Sequence, residues 1–324
     1  MYETEFLSIF QLKIPLIQAG MGGVSGVELA SSVSNMGCMG VLAQYKNSPD
    51  EIVRTIHETR CRTSNFFGVN FIPEVTGANL FDQQIEALIQ CRDDRIAVVL
   101  YGLPPKKNAQ MLVAASVPFI IQVGTKEEAE IAFSLGATCI VLQGNQAGGH
   151  LLGTKRTEAL LQEVLDCKFD IPLIVSGGIA RGSDYLFYRS IGASGCMCGT
   201  IFVSTEESNA HPKYKKLIVD SKAKDTVITD LFHIGWAGRS HRVIRNETVN
   251  GGRYQSINFI AESKIGQKKY PVPRFSSAVP LKETNGAIEL MALYCGESCE
   301  NVNGIETAGS VIEKFYAELI SLQG

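Results

Sequence analysis

The sequence predicts an α/β protein, a (β/α)8 TIM barrel with a smaller subdomain inserted after the eighth strand. Three observations carry this. Eight short apolar, β-rich runs recur at a spacing of about 25 residues. Amphipathic stretches of helical length separate them, and the alternation stops after residue 203. Eight alternations suit a closed barrel, with an open doubly wound sheet as the alternative.

The runs are Ile14–Ala19, Met39–Ala43, Phe67–Ile72, Ile96–Leu100, Pro118–Val123, Thr138–Leu142, Ile171–Val175 and Gly195–Cys198. Their near-continuous apolar character is that of parallel strands covered on both faces. The helices between them are expected near Val27–Met36, Pro49–Thr59, Phe81–Cys91, Lys106–Ala115, Lys126–Leu135, Arg156–Asp166 and Gly182–Ser190. Ser, Thr or Asp opens several of these as a cap. A bare barrel needs about 250 residues, so a chain of 324 has a surplus. The charged, aromatic, Gly- and Asn-rich stretch 204–274 takes it up as a substrate or lid subdomain, leaving 1–203 and 275–324 for the barrel. Helical periodicity is expected to return at Ala287–Cys295 and Ala308–Leu322, the last helix closing the barrel with Val311, Phe315, Leu319 and Leu322 on one face.

A hydrophobic content of 45% supports a large core, and a net charge of −3 gives no field for nucleic acid or an anionic membrane. The expected partner is a small molecule, and a homodimer stays open. Residues Met1–Phe10 lack the pattern of a secretory signal, and no run reaches the length of a membrane span. Nine cysteines without framework spacing fit a reducing, cytoplasmic setting. The Cys196/Cys198 and Cys295/Cys299 pairs each lack the second half of a zinc site, so no metal is expected.

In such a barrel the active site forms where the strands end. The first strand runs into Gly20-Met21-Gly22, the third into Asn70, and the fifth carries Gln122. The sixth leads through Gln143 to Gly148-Gly149-His150, the seventh to Ser176-Gly177-Gly178, and the eighth from Met197-Cys198 to Gly199-Thr200. Glycines there let backbone N–H groups approach a ligand. Two Gly-rich ends after strands seven and eight, with the helix near Gly182, suit a phosphate monoester, although turns are the commoner use of such glycines. The amides of Asn70, Gln122 and Gln143 would match the edge of a flat heteroaromatic ring, or be satisfied by backbone. His150 alone of the five histidines ends a Gly-rich loop at a strand end, which makes it the candidate acid–base group. His57, His211, His233, His241, Tyr214 and Trp236 read as surface or packing residues, a lid role for Trp236 and Tyr214 being the lesser alternative.

These segments resemble the nitronate monooxygenases, or nitropropane dioxygenases, which share their barrel with FMN-dependent enoyl-acyl-carrier-protein reductases. The resemblance rests on Pro15–Met21, Gly68–Asn70, Gln143–His150, Ser176–Ile179, Gly199–Phe202, Ala210-His211-Pro212 and His241-Arg242-Val243. It implies FMN held at Met21, Asn70, Gln143, Gly148, Gly178 and Met197–Thr200, with His150 as the active-site histidine. The implied reaction oxidises an alkyl nitronate with O2 to a carbonyl compound and nitrite. The alternatives are an NAD(P)H-dependent flavin reductase acting on enoyl thioesters or quinones, a flavin-free sugar-phosphate isomerase or lyase, and a non-catalytic binding protein. The family loop usually carries Glu before Ala-Gly-Gly-His; Gln146 stands there, which predicts a less basic His150.

Overall fold

The computed structural model describes residues 4–91, 93–265 and 268–322. Strands β1 (Leu16–Gln18), β2 (Gly40–Ala43), β3 (Phe67–Phe71), β4 (Ile96–Tyr101), β5 (Phe119–Val123) and β6 (Cys139–Gln143) come first. After a two-residue strand β7 (Gly149–His150) follow β8 (Leu173–Ser176) and β9 (Gly195–Cys198). Apart from β7 they pair in parallel in the order β1-β9-β8-β6-β5-β4-β3-β2. The ring closes between β1 and β2, where Gln18 N donates to Met39 O and Met39 N to Leu16 O. The predicted eight-stranded TIM barrel is therefore the observed one.

Alternation along the strands explains why the apolar runs are continuous. Side chains such as Ile17, Val41, Val99, Ile120, Val141 and Ile174 fill the barrel, while Leu16, Leu42, Val98, Ile121, Leu142 and Val175 face the helices. Helix α1 (Glu5–Phe10) stoppers the end where the strands begin. Its Phe6 and Phe10 join the inner cluster, and Phe10 meets Phe66 edge-on at 5.7 Å.

The outer layer contains α2 (Val27–Asn35), α3 (Pro49–Arg60), α4 (Ala78–Gln90), α5 (Lys106–Ala114), α6 (Lys126–Ser134), α7 (Thr157–Leu165) and α8 (Gly182–Ile191). Local chemistry starts them. Ser48 and Glu51 form a capping box on α3 with Pro49 in its first turn, and Thr125 accepts from Glu128 N at the start of α6. Each buries one stripe, as with Ile52, Ile56 and Thr59 of α3.

After β9 come α9 (Thr200–Val203), α10 (Pro212–Asp220), β10 (Thr226–Thr229), β11 (His241–Ile244), α11 (Glu247–Gly251), β12 (Phe259–Ile265), β13 (Lys268–Pro273), β14 (Asn285–Gly286) and α12 (Ala308–Ser321). Strand β11 pairs antiparallel with β10 and with β7, placing His241 opposite His150. Strands β12, β13 and β14 form a second small sheet. No helix among the described residues is long and apolar enough to cross a membrane.

Two expectations change. The stretch 287–295 is not a helix; a 3-10 turn at Ile288–Leu290 leads into extended chain. Met291, Ala292, Leu293 and Cys295 are buried almost in succession, so periodicity cannot separate helix from strand there. Strand β11 decides, because Ile244 N donates to Leu293 O and Cys295 N to Arg242 O. In α12 the buried face is Ala308, Ile312, Phe315 and Leu319, whereas Leu322 is exposed. The helix lies against α8 and α2, and its close approach at Gly182 fixes that face.

Candidate active site

The strand ends open into one cavity of about 500 Å³. All sixteen residues singled out in the sequence line it, from Gly20, Met21 and Gly22 through Asn70, Gln122 and Gln143 to His150 and the Ser176–Gly178 and Met197–Thr200 ends. They are not equivalent. Gln143 spends its amide on the backbone, donating to His150 O at 3.0 Å and accepting from Leu152 N at 2.9 Å. It therefore positions the histidine loop. Asn70 donates to Val99 O at 3.0 Å, but its buried Oδ1 has no partner. An orphaned acceptor at a cavity wall is a place for a ligand donor.

The turn after β8 has the form of an anion cradle. Gly177 (φ 111°) and Gly178 (φ 77°) sit in the left-handed region, and the N–H groups of Gly178 and Ile179 have no partner among the described residues. The helix expected to share in it does not. At the start of α8 the N–H groups of Ala180 and Arg181 are already taken by Asp184 at 3.0 and 2.9 Å. What adjoins the cradle is instead the short turn of helix at Gly199–Thr200, where Thr200 Oγ1 accepts from Gly296 N at 2.9 Å.

His150 is buried and its Nε2 lacks a partner. Trp236 lies flat on its ring, with centroids 3.8 Å apart and planes 15° apart, and the rings of His241 and Tyr294 are 5.1 and 5.2 Å away. Burial, followed by the positive charge associated with His241, Arg239 and Lys46, pushes the imidazole down to about 3. It is therefore neutral at neutral pH. Gln146 is not among the causes of this depression. Its Oε1 accepts from Thr157 N and Oγ1 at 2.8 and 3.0 Å, bracing the start of α7.

A depressed histidine has a measurable consequence. Emission from Trp236, the only tryptophan, should stay level through about pH 6.5, the ordinary histidine midpoint. It should drop only near pH 3, where a charged imidazolium forms against the indole. Between these pH values the unfolded chain binds a proton that the folded one refuses, so acidification below about 6.5 should also lower stability. A fluorescence step centred near 6.5 would show a solvated His150.

Several residues in or beside the cavity escaped sequence reading. His241 and Trp236, read as packing or surface, both touch His150. His241 is locked by backbone, accepting at Nε2 from Phe232 N at 3.2 Å and facing Arg239 O at 3.1 Å through Nδ1, so it packs beside His150 and has no free nitrogen to act as a base. Tyr45, in the loop after β2, and Tyr101, at the end of β4, both line the cavity, and burial raises both phenols, the first to about 12. They remain O–H donors, and the Tyr101 hydroxyl has no partner. Lys46 adds a cation beside them with no carboxylate paired to it among the described residues; its Nζ lies 5.3 Å from the Tyr45 ring centroid.

Comparison with known proteins bears on the family and the fold. The profile of the nitronate monooxygenase family matches residues 3–75 and 72–318. A probable nitronate monooxygenase of Staphylococcus aureus (strain Newman) is 30% identical over 287 residues, covering 76% of this chain and 78% of its own. An octahydroindene carboxyl-CoA dehydrogenase of Rhodococcus jostii (strain RHA1) is 31% identical over 248 residues, covering 76% of this chain and 67% of its own. Among solved structures, FabK from Thermotoga maritima superposes with a TM-score of 0.83 over 100% of this chain and 98% of that one, at 23% identity. A nitroalkane oxidase from Streptomyces ansochromogenes reaches 0.77 at 25% identity over 98% of both chains. The chain is an oxidoreductase and belongs to the nitronate monooxygenase family.

Proposed function

We propose that the protein is an FMN-dependent nitronate monooxygenase, converting an alkyl nitronate and O2 to a carbonyl compound and nitrite. The observation that carries this reading is the orphaned, neutral His150 in a cavity whose cationic side chain, Lys46, lacks an acid partner. The cavity suits FMN on its own features: free N–H groups at Gly178 and Ile179 for a phosphate, and the unpartnered Asn70 Oδ1 for a ring N–H. Gly20, Met21, Gly22, Asn70, Gln122, Gly148, Gly149, Ser176, Gly177, Gly178 and Met197–Thr200 would hold it, with Gln143 acting through the His150 loop. FMN supplies the redox chemistry that couples substrate oxidation to dioxygen.

The chain supplies recognition and proton control. Lys46 favours a substrate that arrives as an anion. His150, depressed to about 3, is a weak base, which fits a preformed nitronate better than deprotonation of a neutral nitroalkane. Its Nε2 and the Tyr101 hydroxyl offer hydrogen bonds to the nitro oxygens, and Trp236 excludes water from the face of the imidazole.

An absorbance spectrum with an oxygen-electrode assay tests the proposal. Flavin bands and oxygen uptake with small nitronates are expected; a yellow protein that consumes no oxygen with any nitronate overturns it. The name of the Rhodococcus relative, a carboxyl-CoA dehydrogenase, favours a second reading in which NAD(P)H or a thioester is the partner. Rapid anaerobic bleaching by a nicotinamide would select that reading.

A further inference from the structure

Trp236 has a position that its stacking on His150 does not by itself explain. It borders the inner cavity and also a second pocket at the surface, formed by Glu74, Val75, His233 and the segment 235–239. The indole therefore stands between two spaces. One face covers His150, and the edge of Tyr101 meets it at 5.4 Å and 81°.

Besides its ring contacts and the bond from its own N–H to His233 O at 3.2 Å, Glu74 holds it there. Upstream, the loop is tied at Ile234, whose N–H donates to Phe275 O and whose carbonyl accepts from Ser277 N. Downstream it is tied again at the start of β11. Between these anchors Gly235 (φ 94°) and Gly238 (φ 82°) take left-handed conformations, and Gly235, Ala237 and Gly238 are exposed. Across the cavity mouth Glu74, in the loop after β3, accepts from Trp236 Nε1 at 2.8 Å and grips Arg239 with both oxygens at 2.6 to 3.1 Å. One carboxylate fixes both the ring and the loop that bears it.

We propose that Trp236 is the specificity-determining partition of the substrate site, held by Glu74, and that it sets the longest aliphatic chain the cavity accepts. The inner wall of the cavity, with Val272, Val279 and Leu281, is apolar enough to bind an alkyl tail. A longer tail would have to pass the indole into the surface pocket. Removing the ring joins the two spaces and admits longer substrates; loosening Glu74 does so in part.

The inference rests on this cavity being the substrate site of the proposed oxidation, so its test measures binding without turnover. Straight-chain carboxylates from acetate to decanoate, unreactive anions of similar head-group shape to nitronates, are titrated calorimetrically into the purified holoprotein. In the unaltered protein affinity should rise about fourfold per buried methylene, then stop rising at one chain length. In Trp236→Ala the rise should continue, so that the longest acids gain at least about tenfold in affinity relative to acetate beyond what they gain in the unaltered protein. Trp236→Phe, which keeps a ring, should retain the limit, and Trp236→Leu should give an intermediate one. Glu74→Ala should shift the limit in the same direction and increase acrylamide quenching of Trp236 emission. The same limit in the unaltered protein, Trp236→Ala and Trp236→Leu overturns the partition. A uniform loss at all chain lengths in Trp236→Ala, with the limit unmoved in Trp236→Leu, overturns it as well. Failure of nitronates to drive oxygen uptake would refute the proposed reaction instead, and the carboxylate limit would still be measured.

Discussion

His150→Asn is expected to lower kcat with a nitronate by roughly 10²- to 10⁴-fold, the range for losing a positioned acid–base or hydrogen-bonding side chain. Flavin content should be retained. The separation follows from the structure: it is the histidine's carbonyl, not its ring, that Gln143 holds, and the free Nε2 faces no protein partner. Asparagine keeps the backbone bond and the strand pairing with His241 while removing the imidazole. Because the imidazole is already neutral well above pH 3, kcat/KM should show no His150 limb near pH 6.5. Steady-state kinetics over that range, beside the flavin spectrum, check both statements. A loss of flavin equal to the loss of activity would make His150 a cofactor-binding residue only.

Gly148→Ala should be more damaging to the molecule as a whole. A Cβ there would lie 2.4 Å from Gly296 N and 2.6 Å from Cys295 C, both main-chain atoms that cannot rotate aside. Either the histidine loop or the 295–297 segment must move. They are joined at other points, since Glu297 N donates to Gln146 O, and Arg242 binds Asn145 O through Nε and Nη2 while pairing with Glu297 at 3.2 Å. The shift would also disturb the Gly296 N to Thr200 Oγ1 bond beside the glycine cradle. Overpacking of this kind costs about 1–3 kcal/mol, and the variant should elute colourless from gel filtration. Thermal unfolding and the flavin-to-protein absorbance ratio read the two effects. Unchanged values for both would show that the loop has slack the packing does not reveal.

Much of the candidate site was legible because barrel topology converts order along the chain into position in space. Once eight strands are counted, every strand end points to one mouth, and Gly-rich or amide residues at those ends can be gathered without coordinates. Tyr45 and Lys46 follow the second run and Tyr101 the fourth, so the same rule puts them at the mouth, although neither glycine nor amide chemistry marks them. What each gathered side chain does was not legible. Gln143 and Asn70 looked alike in sequence, but backbone geometry consumes one amide and leaves the other with a free oxygen.

The sequence by itself determined the periodic parts: eight buried strands, the helices that cover them, their caps, and the ring of residues about the strand ends. These depend on alternation and local hydrogen bonding, which are written within a few residues of one another. Only the tertiary structure decided what lies over His150. Trp236 and His241 come from the aperiodic stretch after β9, whose shape is set by pairing of β11 with β7 and by the reach of Glu74 from another loop. The depressed imidazole arises in the same way, because desolvation is the work of neighbours brought together from separate segments, and no residue carries it alone.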